Sequence, residues 1–96
     1  MMTERNKMLV ESYGPRFVRR SMRISDNFLH LAADACSVLT DEEWKSCGHA
    51  MVKFNDELRK VRNVVYERLK EVCEGDEDKL EKLLDKADEE LKKYGF

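Results

Sequence analysis

The chain has 96 residues, 40% of them charged, with one proline, three cysteines and a formal net charge of −2. This composition favours a single domain of solvated helices over residues 1–96. It excludes a membrane-spanning segment, because no apolar run approaches the required length. The odd number of cysteines, without paired spacing, and a start that lacks the regions of an export signal predict a cytoplasmic protein.

Basic side chains are concentrated at the start of the chain. Residues 1–25 hold six basic and two acidic side chains, a net charge of +4. Residues 26–60 hold four and seven, and residues 61–96 hold eight and eleven, a net charge of −3 in each case. The sequence therefore combines a basic beginning with an acidic remainder.

Two helices are predicted before the middle of the chain. A short helix over about 3–13 begins at Thr3, and it must dock on the rest of the protein because so short a helix is unstable alone. Gly14 and Pro15 end it, since proline pushes the preceding residue out of the α region and is itself favoured at the first position of a helix. A second helix then extends over about 15–39.

Four arginines share one face of this second helix, because they follow one another at steps of three and four residues. They are Arg16, Arg19, Arg20 and Arg23, and Tyr13 lies beside them. Guanidinium groups bind phosphate and carboxylate well, and the N-terminus of a helix adds a positive dipole end. The face is predicted to bind a phosphate-bearing ligand, a nucleic acid or an acidic protein surface. The alternative is a solvated face that pairs with the acidic side chains of the same chain.

The middle of the chain is predicted as one long helix over about 41–73, because its apolar residues follow a heptad spacing. Thr40 and Glu43 match a capping box at its start, and Gly75 is placed to end it. Gly48, inside the helix, favours the close approach of a neighbouring helix. At 1.5 Å per residue this helix is about 50 Å long, which is longer than a compact protein of this size.

The apolar residues of the two long helices predict an assembly core. They repeat at three- and four-residue steps on both helices, and the tight connection at Leu39 and Thr40 predicts an antiparallel hairpin. The predicted core consists of Phe17, Phe28, Leu31, Trp44, Met51, Phe54, Leu58, Val61 and Val65. A last helix over about 77–94 can cover only part of this surface, so we expect a homo-oligomer at micromolar concentration.

Two other groups contain residue types used in catalysis and metal binding. Asp26, His30 and Asp34 follow at four-residue steps, a pattern that more often gives surface ion pairs than a general base or a metal site. Cys47 and His49 are two residues apart, so their side chains diverge on a helix. We therefore predict no catalytic residue, no metal ligand and no cofactor.

These features predict an all-α protein, an elongated helical bundle. A long antiparallel helical hairpin carries a third, C-terminal helix and a short N-terminal helix. The expected function is non-enzymatic: a small intracellular regulator, adaptor or inhibitor that binds a protein partner, itself or both through its helix faces. The alternative is an anion-binding module for nucleotide or nucleic acid that uses the arginine face. An enzyme based on His30 and Asp34 is a more remote alternative.

Overall fold

A computed structural model describes residues 3–94, and this part of the chain is helical without strands, which confirms the all-α class. The helical elements in chain order are α1 (Glu4–Val38), α2 (Asp41–Glu43), a π-helical turn (Trp44–Gly48), α3 (His49–Val72) and α4 (Glu77–Tyr94). The molecule measures 51 × 31 × 20 Å. Its radius of gyration is 16.7 Å, whereas a compact chain of this length would have about 12 Å. The structure is therefore elongated. None of the described helices combines the length and the apolar character needed to cross a membrane.

Helix α1 runs without interruption through Gly14 and Pro15, so the prediction of a separate helix over 3–13 is wrong. A proline inside a helix removes one backbone hydrogen bond and costs about 3 kcal/mol. Gly14 relieves part of this cost because it has no Cβ to clash with the proline ring. Both residues are also buried. Leu69 of α3 covers Gly14, where an added Cβ would lie 3.1 Å from Leu69 Cδ2, and Pro15 lines a cleft with Ala87 of α4. Packing from two neighbouring helices thus overrides a local stop signal.

The turn between α1 and α2 carries the capping box that the sequence predicts. The Thr40 hydroxyl accepts a hydrogen bond from the Glu43 N–H at 3.1 Å, and the Glu43 carboxylate accepts one from the Thr40 N–H at 2.9 Å. Hydrogen bonds from Thr40 to the charged carboxylate hold the pKa of Glu43 below its ordinary value of 4.5. These contacts reverse the chain, so that α3 runs back along α1.

Trp44 and Gly48 form the two ends of the π-helical turn. The backbone stays in the right-handed helical region at both ends of the turn, so α2, the turn and α3 form one continuous rod. The indole of Trp44 lies over Gly48, where an added Cβ would be 2.5 Å from Trp44 Cδ2. Because Gly48 has no side chain, the indole of Trp44 in the same rod can lie against its backbone. The prediction from the sequence was different: a neighbouring helix was expected to approach closely at Gly48.

The chain reverses again between α3 and α4, and α3 ends just before Gly75, as the sequence predicts. Gly75 has a φ of +79°, and its N–H donates a hydrogen bond to the Lys70 carbonyl at 3.2 Å. This bond satisfies a carbonyl at the end of α3. Asp76 then caps α4, because its carboxylate accepts a hydrogen bond from the Asp78 N–H at 3.1 Å.

Helix α4 packs beside the first half of α1 and the last half of α3. Ion pairs from Lys79 to Glu11 at 3.6 Å and from Glu90 to Arg16 at 2.8 Å show that α4 runs in the direction of α1. The buried apolar residues between these helices are Val18, Leu69, Val72, Cys73, Leu80, Leu84, Ala87 and Leu91. Burial raises the pKa of the Cys73 thiol. We call this part of the molecule the three-helix end.

Beyond the three-helix end, α1 and α3 continue as a two-helix arm, which comprises residues 22–60. Helix α4 has 18 residues and is therefore about 27 Å long, about half the length of the molecule. The arm thus lacks the third helix that covers the other end.

Candidate interaction surface

One side of the hairpin formed by α1 and α3 exposes large apolar side chains. On α1, Tyr13, Ile24 and Leu31 are 62%, 50% and 58% exposed. At about 100° per residue, these three positions lie within about 20° of one another around the helix, so they form one stripe. Arg19, which faces α4, is about 140° away from Ile24. The stripe on α1 therefore points away from α4.

Helix α3 adds a second stripe on the same side. Phe54 and Val61 are 59% and 49% exposed and lie within about 20° of each other. Tyr66, which lines a cleft with Leu80 of α4, is about 140° away from Val61. We call the combined surface the open face. Its residues are Tyr13, Phe17, Ile24, Phe28 and Leu31 on α1, and Phe54, Leu58, Val61 and Val65 on α3.

No residue of the predicted assembly core is fully buried in this chain, although Val65 packs against the buried cluster around Leu69. Six residues of the predicted core are partly buried, namely Phe17, Phe28, Trp44, Met51, Leu58 and Val65. Leu31, Phe54 and Val61 are exposed. The reason lies on α1, where Gly14, Val18 and Ser21 are buried instead. These smaller residues let α1 approach α3 closely, and the line of larger residues is then turned sideways onto the open face.

A groove of about 410 Å³ joins the two stripes. Its lining consists of Tyr13, Arg16, Phe17, Arg20, Ser21, Ile24 and Leu58. Since Leu58 belongs to α3 and the other residues to α1, the groove shows that the two stripes are continuous. A concave apolar groove of this kind can receive an anchoring side chain from a partner.

The four arginines predicted to bind a partner or an anion are partly engaged within the chain. Arg16 bonds to Glu90 through Nε at 2.9 Å and through a terminal nitrogen at 2.8 Å. Arg19 Nε lies 3.2 Å from an oxygen of Asp88, an ion pair without hydrogen-bond alignment. Arg20 also takes part in an interaction within the chain. The acidic side chains of α4 therefore neutralise two members of this face. Arg16 and Arg20 remain at the edge of the groove on the open face.

A polar network that the sequence analysis did not predict crosses the hairpin where the three-helix end meets the arm. Arg62 of α3 donates hydrogen bonds to the Ser21 hydroxyl at 2.7 Å, to the Ser21 carbonyl at 2.9 Å and to the Ser25 hydroxyl. Ser25 in turn donates to the Asn55 side chain at 3.0 Å. The signal in the sequence was Ser21, a polar residue that follows Phe17 and precedes Ile24 at the spacing of the apolar residues on α1. The network fixes the register of α1 against α3.

The residue types considered for catalysis or metal binding are not brought together. Asp26, His30 and Asp34 are all exposed on α1. Cys47 and His49 are exposed as well, and the helix continues between them, so their side chains diverge. Within residues 3–94, no group of three or more His, Cys, Asp or Glu side chains could hold a metal ion.

No protein-family model, no curated protein and no solved structure matches the chain.

Proposed function

We propose that the protein is a small, non-enzymatic interaction protein, an intracellular regulator, adaptor or inhibitor, that binds through the open face. The observation that supports this function is a row of five exposed apolar side chains, Tyr13, Ile24, Leu31, Phe54 and Val61, on one side of a hairpin. Large continuous apolar surfaces on proteins mark interaction sites, whereas single exposed apolar residues are common and carry no such meaning.

The heptad spacing of both helices supports a helical partner surface. Side chains at three- and four-residue steps present knobs and holes that fit those of other helices. The open face points away from α4, and a partner helix packed on it would bury the stripes of α1 and α3 together. The binding energy would come mainly from apolar burial, with Arg20 at the edge.

Anion binding by the arginine face receives less support. Arg16 and Arg19 already pair with Glu90 and Asp88, so a phosphate ligand would have to displace two carboxylates. Arginines on the rim of a protein interface fit this geometry better, since rim charges set orientation and association rate more than affinity.

Site-specific photo-crosslinking tests the proposed function. A photoreactive phenylalanine analogue is placed at Leu31, on the open face, or at Leu29, which is 76% exposed and about 160° away on the same helix. In the native host cell, we expect crosslinked protein products from position 31 and not from position 29. Introducing Ile24→Asp into the chain labelled at position 31 should remove the products.

Two results would contradict the proposed function. One is equal crosslinking from both positions, which would mean that contacts are non-specific. The other is the absence of protein products from position 31 at a labelling efficiency shown to be normal. Circular dichroism of each variant verifies that the helices are intact.

A further inference from the structure

We infer that a second copy of this chain covers the open face, antiparallel to the first, with α1 against α1 and α3 against α3. This inference rests on the proposed function and names the occupant of the same surface. The result would be a four-helix bundle made of two hairpins, with each α4 on the outside.

The size of the open face reaches the lower limit for a specific dimer. From Tyr13 to Leu31 the face is about 27 Å long, and two helices are about 20 Å wide, so it measures on the order of 500 Å². Two such faces together bury about 1,000 Å², close to the smallest area expected of a specific interface. A two-helix surface of matching length, such as the same face of a second copy, can cover it along its whole extent.

The charge distribution determines the direction of the second copy. Residues 1–25, which form the first half of α1, carry a net charge of +4, whereas residues 26–60, which include most of the arm, carry −3. In a parallel dimer, each acidic arm would lie against the other. In an antiparallel dimer, the arm of each copy lies against the first half of α1 in its partner, whose positive charge α4 neutralises in part, so the contact between two acidic arms is avoided.

The positions of the apolar residues fit a two-fold axis near Ile24. Ile24 is near the middle of the α1 stripe, and Phe17 and Leu31 lie seven residues on either side of it. With the axis at Ile24, each Ile24 contacts its counterpart and each Phe17 lies opposite Leu31 of the second copy. Asp34 of each copy then lies within about one helical turn of Arg16 of the other.

The dissociation constant measured by analytical ultracentrifugation gives the first test. The wild type should sediment as a dimer at micromolar concentration. Ile24→Asp places two carboxylates at the axis in an apolar interface, so the dissociation constant should rise at least about tenfold. Leu29→Asp is the matched control, because Leu29 is more exposed than Ile24 and about 140° away from it. Its dissociation constant should equal that of the wild type.

The direction of the second copy has two independent readouts. Added salt should weaken an antiparallel dimer, in which opposite charges face each other, and strengthen a parallel one. A spin label on the exposed thiol of Cys36, in a Cys47→Ser background with Cys73 buried, measures the distance between copies. Cys36 is 12 residues from Ile24, so the antiparallel arrangement predicts about 36 Å between labels, and the parallel one less than about 20 Å.

These outcomes separate the inference from the proposed function. A monomeric wild type, equal effects of Ile24→Asp and Leu29→Asp, or a short label distance would overturn the antiparallel dimer. A monomer whose position 31 still crosslinks to another protein in cells would leave the proposed function standing. A dimer with the expected label distance, with crosslinked products at twice the chain mass, would support both.

Discussion

The two ends of the hairpin follow the same heptad pattern and differ in what covers them. At the three-helix end, Leu69 and Leu91 are 0% and 2% exposed, whereas Ile24 and Phe54 in the arm expose half or more of their surface. The difference comes from orientation, because Leu69 and Leu91 are packed between helices, whereas Ile24 and Phe54 lie on the open face, which points away from α4. Heptad spacing therefore shows which residues can be buried together, and the positions of the neighbouring helices decide which of them are buried within one chain.

The difference in burial implies a difference in local stability. Buried apolar contacts raise the free energy of local unfolding, and segments with few such contacts open more easily. In the monomer, the arm contains partly buried side chains such as Phe28 and Met51, the capping box at Thr40, and Ser25, which accepts a hydrogen bond from Arg62. We expect a second copy on the open face to stabilise the arm more than the three-helix end.

The largest expected effect is the loss of stability when a buried side chain at the three-helix end is truncated, compared with the same truncation in the arm. Leu69→Ala removes a fully buried side chain that packs on Gly14 and Val18, so the free energy of unfolding should fall by about 2–5 kcal/mol. Phe54→Ala, in the exposed stripe of the arm, should change the monomer by about 0.5 kcal/mol or less. Both are measured by urea unfolding in the Ile24→Asp background, which removes the contribution of the dimer. Equal losses would mean that the arm has a core comparable to that of the three-helix end.

A smaller effect is expected at the π-helical turn of the arm, where the indole of Trp44 lies over Gly48. Gly48→Ala places a methyl group where the indole of Trp44 lies, so the indole must move. The fluorescence of Trp44, the one tryptophan in the chain, should shift to longer wavelength as the ring enters water, and stability should fall by about 1–2 kcal/mol. In a Trp44→Ala background the same substitution should stabilise by up to about 1 kcal/mol, because alanine favours helix over glycine. The same sign in both backgrounds would show that the indole is not what requires glycine.

The smallest effect concerns the charge at the turn. The pKa of Glu43 is lower in the folded protein than its ordinary value of 4.5, so the ionised carboxylate stabilises the fold above about pH 4.5. This contribution is lost as the pH falls through the lowered pKa. Glu43→Gln keeps a hydrogen-bond acceptor and removes the charge. Its melting temperature should lie below that of the wild type at neutral pH and converge with it in acid. A constant difference at all pH values would contradict this linkage.

Much of the local structure follows directly from the sequence. The capping box at Thr40 and the left-handed Gly75 depend on residues that are neighbours in the chain, and each occurs where the pattern predicts it. The alignment of apolar residues on one side of each helix also follows from spacing, because a helix places residues at three- and four-residue steps on one side. These features were predictable because their causes lie within a few residues.

Three features depended on tertiary contacts between distant parts of the chain. Pro15 stays within α1 because Gly14 and Pro15 are covered by α3 and α4, a contact that local propensity cannot reveal. Arg16 and Arg19 lose much of their availability as an anion site because α4 brings Glu90 and Asp88 against them. The larger apolar residues of both helices lie on the open face because the smaller Gly14, Val18 and Ser21 of α1 are the residues buried between the helices. The sequence by itself determined that these segments are helical and where the two chain reversals lie, since hydrogen bonds and caps are local. Close packing among helices decided which face of each helix became interior and kept α1 continuous through Pro15.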